Sequence, residues 1–477
     1  MDDMTTAAPT LYQSLAGEIA GLISAGTLRP GDRIPSVREL SRAKDASVSS
    51  VLSAYRVLED RGLVESRPQS GYYVRAAAAG PAEPARTEPS PAAAAVAVGE
   101  LTMRYTHDTH DPKLIQLGAA VPHPDLLPTA KLARSIARMG RLRRASSNSY
   151  DLPAGCSALR EQLAKRMYKA GVSVGPEGVF ATTGAQEALN LALHAVCKPG
   201  DIVAVESPAF FGTLQAVEMH GLKAVEISTD RDGMCLDALK RALSRHKIRA
   251  VISTPTFSNP TGALMPEAKK RALVELLAAK RVPLIEDDVY GDLPHDGLDR
   301  PKAAKAYDRE GGVIYCSSVS KTMAPGYRVG WIIPGRWAKE VERIKMVSNV
   351  SSACLPQLAV ADILANGGYD RHLRRIRAAY ARSTALMRDA VARSFPAGTR
   401  LSNPRGGFVL WAELPGKANA LALYDRARRA GVVVAPGPLF SATGRHRSAM
   451  RLNCSHWNPQ IERAVALLGR LAGELAR

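Results

Sequence analysis

A lysine set among hydroxyls, Ser318-Val319-Ser320-Lys321-Thr322, with Arg328 seven residues on, can hold an aldehyde covalently while its neighbours grip a phosphate. Ser318 and Ser320 are short donors that do not crowd an anion, and Arg328 adds a planar fork for charge-assisted bonds. Lys321 supplies the amine for an imine. The combination points first to pyridoxal 5′-phosphate. A pyridine ring acting as an electron sink needs a fixed carboxylate at its protonated nitrogen. The apolar run Val282-Pro283-Leu284-Ile285 leads into Glu286-Asp287-Asp288-Val289-Tyr290 and offers Asp287 for that place. The ring's phenolic oxygen needs donors. Asn259, in the Pro- and Gly-fixed turn Ser258-Asn259-Pro260-Thr261-Gly262, and Tyr290 fill those two places. Taken singly, these segments are a surface lysine, a strand end and a turn; their order, each after a predicted strand, joins them.

The elements that must position these residues are legible as short apolar runs. Strands are predicted over 202–206, 224–227, 250–254, 283–287, 313–317 and 329–333, with helices between several of them, one begun by Pro266-Glu267. This pattern predicts an α/β domain on a mostly parallel sheet with ligands at the strand ends. Gly184-Ala185-Gln186 follows the short run 179–183 and opens the helical pattern Ala188, Leu189, Leu191, Ala192, Ala195. It therefore lies at a helix N-terminus, where free N–H groups and the dipole favour phosphate.

From about Leu114 to the C-terminus the chain resembles the aminotransferase family of fold-type I pyridoxal-phosphate enzymes. The resemblance implies that Lys321 is the Schiff-base lysine, that Asp287 pairs with the pyridinium, and that Asn259 and Tyr290 bond the phenolic oxygen. It also implies that Ser318, Ser320, Arg328 and the backbone of Gly184, Ala185 and Gln186 hold the phosphate. Phe210 matches the aromatic that stacks on the ring. Arg451, in Met450-Arg451-Leu452, matches the arginine that clamps an α-carboxylate, and Tyr150 the tyrosine that reaches the neighbouring subunit's phosphate, which implies a homodimer. Where this family often carries Gly-Gly ahead of a Pro-x-Pro, this chain has Ala119-Ala120.

Residues 9–75 form a different kind of unit. Leu11, Leu15, Ile19, Leu22 and Ile23 recur at helical spacing, and Gly26 and Pro30-Gly31 stop that helix. Ser36-Val37-Arg38-Glu39 is a capping box that starts a second helix, and a third runs from near Ser47 to Gly62. Strands over 63–66 and 72–74 are joined by Arg67-Pro68-Gln69-Ser70-Gly71. Two short helices followed by a hairpin predict a winged helix-turn-helix, with a small helical oligomerisation module as the alternative. The wording of 33–40 and of the wing resembles the GntR family of DNA-binding domains. That resemblance implies that Arg33, Ser36 and Arg38 lie at the DNA, that the helix carrying Ser47, Ser49 and Ser50 reads the groove, and that Arg67 touches the backbone or minor groove of a double-stranded operator. Serines discriminate bases weakly, so shape and half-site spacing carry much of the specificity in this reading.

A GntR-type head on an aminotransferase-type body resembles the MocR subfamily of transcriptional regulators. Between the two units, 76–110 is Ala- and Pro-rich and reads as a flexible linker. The chain has 477 residues, 46% of them hydrophobic, enough for two or three domains. No apolar run spans a membrane and the start lacks a signal peptide's basic residues, so a cytoplasmic protein is expected. The six cysteines are scattered, which suggests neither a metal site nor a disulfide framework. The net charge of +19 suits an anionic polymer, yet residues 9–75 carry nine Lys/Arg against seven Asp/Glu. The excess lies on the large unit, either as solvated helix faces or as a basic belt for DNA.

The sequence therefore predicts a dimeric, pyridoxal-phosphate-dependent DNA-binding regulator that senses an amino acid, an amine or the cofactor itself. The rival is a working aminotransferase with an appended DNA-binding head.

Overall fold

The computed structural model describes residues 11–60, 62–67, 70–74, 81–86, 88–295 and 297–476. Pro68 and Gln69 of the expected wing turn, Arg75 at the end of the expected head, and 76–80 and Thr87 of the expected linker lie outside them. The chain divides into two compact units, one ending at Pro81 and one running from Ala82.

In the first unit, α1 (Leu11–Ser24), α2 (Val37–Ala43) and α3 (Val48–Asp60) precede the antiparallel hairpin of β1 (Val64–Arg67) and β2 (Gly71–Val74), with Val64 opposite Val74. Apolar residues at helical spacing turn inward: Leu15, Ala16 and Ile19 of α1 pack with Val51, Ala54, Tyr55 and Leu58 of α3 and with Leu40, Val64 and Val74. Each fully buried Val or Leu here contributes about 1.5–3 kcal/mol. The capping box is present in full: Ser36 Oγ accepts the Glu39 N–H at 3.3 Å, and Glu39 accepts the Ser36 N–H at 2.7 Å. The hairpin closes on the same core, with Tyr72 edge-on to Tyr55 at 4.7 Å.

The second unit is built on one mixed sheet. Its strands are β3 (Ala94–Ala95), β4 (Phe180–Thr182), β5 (Ile202–Ser207), β6 (Lys223–Asp230), β7 (Ile248–Ser253), β8 (Leu284–Asp287), β9 (Val313–Ser318) and β10 (Gly330–Ile333), beside a two-residue strand at Gly233–Met234 that pairs with the end of β6. They lie in the order β3-β6-β5-β7-β8-β9-β10-β4. The centre, β6 to β9, is parallel, whereas β10 runs antiparallel to both β9 and β4. Strands buried on both faces read as continuous apolar runs: Val203, Val205, Ile252, Ile285 and Ile314 pack into one core, and their neighbours Ala204, Val251, Leu284 and Val313 into another. A smaller antiparallel sheet toward the C-terminus pairs β11 (Val409–Glu413) with β12 (Ala449–Asn453), and places Trp411 opposite Arg451.

The expected linker is corrected in its later part. Residues from Ala82 onward lie along the large unit: Leu401 donates to Ala82 O at 2.9 Å, Arg445 to Glu88 O at 2.9 Å, and His246 Nε2 lies 2.7 Å from Pro91 O. Ala94 and Ala95 pair with β6, and Gly99–Thr109 form a helix, α4, that buries Thr102, Tyr105 and Asp108. Over 82–95 the alanine- and proline-rich composition hides the fixing because the bonds fall largely on main-chain oxygens, which leave no apolar period.

Candidate functional site

The parallel strands end at one edge of the sheet, and the expected residues gather there, as the geometry of such sheets dictates. Asp287 is the last residue of β8 and Ser318 the last of β9; Asn259 follows β7 and Lys321 follows β9. Gly184 caps α5 (Ala185–Val196) immediately after β4.

Asp287 Oδ1 and the Tyr290 hydroxyl are both buried without a hydrogen-bond partner. A buried polar atom left unpaired costs about 1–3 kcal/mol. Asp288 Oδ1 beside them is also unpaired, but its carboxylate is already held through Oδ2 by Arg300 and Tyr315, so Asp287 and Tyr290 are the two that mark a place shaped for something else. Burial, with Asp288 and Glu206 nearby, pushes the Asp287 carboxyl up to about 7, while Lys321 opposes the rise. Lys321 is moved the other way, down to about 8, by burial and by the cations Arg451 and Arg328. Its Nζ donates to Ala120 O at 2.7 Å and stands 6.0 Å from the centre of the Tyr290 ring.

Arg451 is 1% exposed. It donates through Nη1 to Asn259 Oδ1 at 2.8 Å, and through Nη2 to Gly118 O at 2.7 Å and Tyr105 Oη at 3.4 Å. Its guanidinium lies 5.0 Å from the Phe440 ring centre and 5.8 Å from that of Phe211, and Nε is unpaired. With Asn259 Oδ1 occupied, the amide nitrogen is the end left to donate.

The expected phosphate residues also meet. Arg328 reaches Ser320 Oγ at 3.4 Å and Thr183 O at 3.2 Å, and Ser318 Oγ accepts the Ser320 N–H at 3.3 Å. Gly184 has φ +81°, and a Cβ there would stand 2.3 Å from Arg328 Nη2, so only glycine fits. The first N–H groups of α5, including those of Ala185 and Gln186, are free of intrahelical partners. The Gln186 side chain donates instead to Gly212 O at 2.9 Å, beside Phe210. Phe210 is half-buried, with its ring 4.8 Å from that of Phe211. Tyr150 stands apart, 88% exposed.

Three contributors were not anticipated. Tyr105 lies under Arg451 from the segment expected to be coil, although Leu101, Tyr105 and Asp108 already had helical spacing. Glu206, buried at the end of β5, accepts from Ser253, the Thr254 N–H and Ser258, and so fixes the turn that carries Asn259. Asp288 points into an ion pair with Arg300 at 2.6 Å and a bond from Tyr315 at 2.9 Å, which distinguishes it from its neighbour Asp287.

In the head, Arg33, Arg38, Ser47 and Ser49 are exposed, and Ser36 and Ser50 half-buried. Ser47 caps α3 by accepting the Ser50 N–H at 3.1 Å, and its hydroxyl also meets those of Ser49 and Ser50 at 2.9 and 2.8 Å. Arg67 is held by Glu65 at 2.8–2.9 Å and lies 4.4 Å from the Tyr73 ring centre. Arg33 passes beneath Gly71, whose φ is +104°.

Comparison with known proteins joins the two halves. Residues 112–468 match the family "Aminotransferase class I and II", and 11–74 match "Bacterial regulatory proteins, gntR family". Over its length the chain is 38% identical to the HTH-type transcriptional regulator YdcR of Escherichia coli (97% of this chain, 99% of YdcR) and 36% identical to YjiR of the same organism (94% and 95%). It belongs to the MocR-type regulators. Members of this group fuse a GntR head, a DNA-binding domain, to an aminotransferase-like body of a pyridoxal-phosphate-dependent fold. The body superposes on LysN, the α-aminoadipate aminotransferase of Thermus thermophilus complexed with N-(5′-phosphopyridoxyl)-L-leucine, with a TM-score of 0.72 at 28% identity over 80% of this chain and 99% of LysN. Among the described residues no helix is long and apolar enough to cross a membrane.

Proposed function

We propose that this regulator binds pyridoxal 5′-phosphate through Lys321, senses a carboxylate-bearing amine at Arg451, and passes the signal to its DNA-binding head as a cytoplasmic homodimer. The observation that carries the reading is the pair of buried, unpartnered atoms, Asp287 Oδ1 and Tyr290 Oη, at the strand end that bears Lys321. They fit the group's ring nitrogen and phenolic oxygen, as the Gly184 cradle with Arg328, Ser318 and Ser320 fits its phosphate.

Bound there, the cofactor supplies an electrophilic carbon and an electron-withdrawing ring. The rest is done by the chain. Asp287 would keep a proton on the ring nitrogen, since a carboxylate in this buried position needs a cation beside it. Asn259 and Tyr290 would donate to the phenolic oxygen, and Phe210 would pack on the ring. Lys321, an amine drawn below the usual lysine range, can give up or take a proton near neutrality.

Arg451 links ligand to structure. It holds Gly118 O while Lys321 holds Ala120 O, so both groups that meet an amino acid are tied to one segment, 118–120. A ligand carboxylate on Arg451 would compete with Gly118 O for that guanidinium and so loosen the segment. The ligand shifts the equilibrium only by its differential affinity for the two states. In the proposed homodimer the exposed Tyr150 would complete the neighbour's phosphate site.

The second reading, turnover as an aminotransferase, is favoured by the completeness of the same residues. A reporter on a promoter that this protein binds, compared between wild type, Lys321→Ala and a deletion of the head through Pro81, separates the two. The regulator reading expects Lys321→Ala to keep DNA binding and lose the response to amine. It fails if deleting the head leaves the reporter unchanged while the intact protein turns over amino and oxo acids at about 1 per second or faster.

A further inference from the structure

The scattered cysteines come together where the sequence gives no sign of it. Cys156, in the loop after Tyr150, and Cys354, at the start of α6 (Cys354–Ala365), are both buried, and with Asp151 they place two sulfurs and a carboxylate oxygen all within 4.8 Å of one another. We propose that Asp151, Cys156 and Cys354 form a binding site for a soft divalent cation of the zinc class, with water as the fourth ligand.

The donor set decides the class. Two thiolates and one carboxylate suit zinc or cadmium and repel the oxygen-seeking magnesium and calcium. With metal bonds of about 2.3 Å to sulfur and 2.0 Å to oxygen, tetrahedral ligand atoms lie roughly 3.3–3.8 Å apart. Cys354 Sγ is already 4.0 Å from Asp151 Oδ2. The remaining contraction, at most about 1 Å, is within reach of small side-chain rotations.

The surroundings already orient the donors. Asp151 Oδ1 is taken by the Leu152 N–H at 2.8 Å, which leaves Oδ2 turned to Cys354. Gln357, one turn into α6, accepts the Cys156 N–H at 2.9 Å and is itself held by Ser352 O and Ala353 O, both at 3.1 Å. Gly155, at φ +85°, lets this loop pass so close that a Cβ would stand 2.7 Å from Gln357 Oε1. Asp151 is half-buried, which leaves the ion a way in and room for its water. On binding, each thiol gives its proton to solvent and both sulfurs donate a lone pair, so one cation enters and two protons leave. The ion would tie the loop that bears Tyr150 to α6; that consequence rests on the dimer reading above, whereas the binding itself does not.

The test uses full-length protein, reduced and stripped with a chelator, titrated with cadmium alone. One cadmium per chain, a sulfur-to-metal charge-transfer band in the ultraviolet and release of two protons per ion are expected. Cys156→Ser and Cys354→Ser should each abolish the band, while Cys197→Ser leaves it intact. Should a variant fail to fold, cadmium must still protect Cys156 and Cys354 of the wild type from alkylation, as read by peptide mass. A missing band, a band that survives in Cys156→Ser, or protection confined to other cysteines overturns the site. So does a cadmium-free protein in which the two thiols are recovered only as a disulfide after mild peroxide and never bind the ion when reduced again.

Discussion

Replacing Asp287 by Asn should stabilise the cofactor-free protein and weaken the cofactor-bound one. The folded chain keeps the Asp287 proton up to about pH 7, because burial and the neighbouring acids Asp288 and Glu206 resist its loss. The unfolded chain releases it near the usual 3.8. Between those values the folded state binds more protons, so this carboxyl makes stability fall as pH rises from about 4 to about 7. At about 1.36 kcal/mol for each tenfold change in proton affinity, the loss is up to roughly 4 kcal/mol, reduced by whatever water enters the pocket. Asn carries no such penalty. For a unit of about 400 residues, melting entropy near 2.1 cal/mol/K per residue converts this to a gain in Tm of up to about 5 °C at pH 8, vanishing near pH 4. With the cofactor bound the order reverses, since the wild-type carboxylate then has its cation and the amide cannot replace it. Calorimetric scans at pH 4.5, 6 and 8, with and without pyridoxal phosphate, give all of these differences. Parallel pH curves for wild type and variant, unaltered by cofactor, would refute the assignment of Asp287.

Gly184→Ala must adopt a positive φ and push Arg328 away, so cofactor affinity should drop about tenfold or more, measured by equilibrium dialysis against wild type. Arg38→Ala should weaken DNA binding and flatten its dependence on log salt by about one unit; Arg67→Ala should do less, because Glu65 already neutralises that guanidinium. Fluorescence anisotropy over a salt series distinguishes them. Tyr150→Ala should lower cofactor affinity without changing the circular dichroism, since its side chain makes no packing contribution within the subunit at 88% exposure; an unchanged affinity would remove Tyr150 from the phosphate site.

Most of the candidate site was legible because each piece is local. A turn, a strand end and a lysine flanked by serines each carry their own pattern, and the parallel sheet then brings their ends to one edge without further instruction. The capping box at Ser36 and the buried positions of α1 and α3 were legible for the same reason. What was hidden depended on chain separation. Tyr105 reaches Arg451 across 346 residues, Cys156 meets Cys354 from a distant part of the chain, and no periodicity records either encounter. The fixing of 82–95 escaped because the segment offers mainly its own carbonyl oxygens, which every residue owns, to donors such as the Leu401 N–H and Arg445. Ser47 looked like a base-reading residue, but the demands of the helix start come first: its hydroxyl accepts from the main chain of α3.

The most direct test of the central claim is borohydride reduction of the purified, pyridoxal-phosphate-treated protein followed by peptide mass spectrometry. One phosphopyridoxyl group per chain is expected, on Lys321, and none in Lys321→Ala. A label on another lysine, or no label on a folded chain, would contradict it.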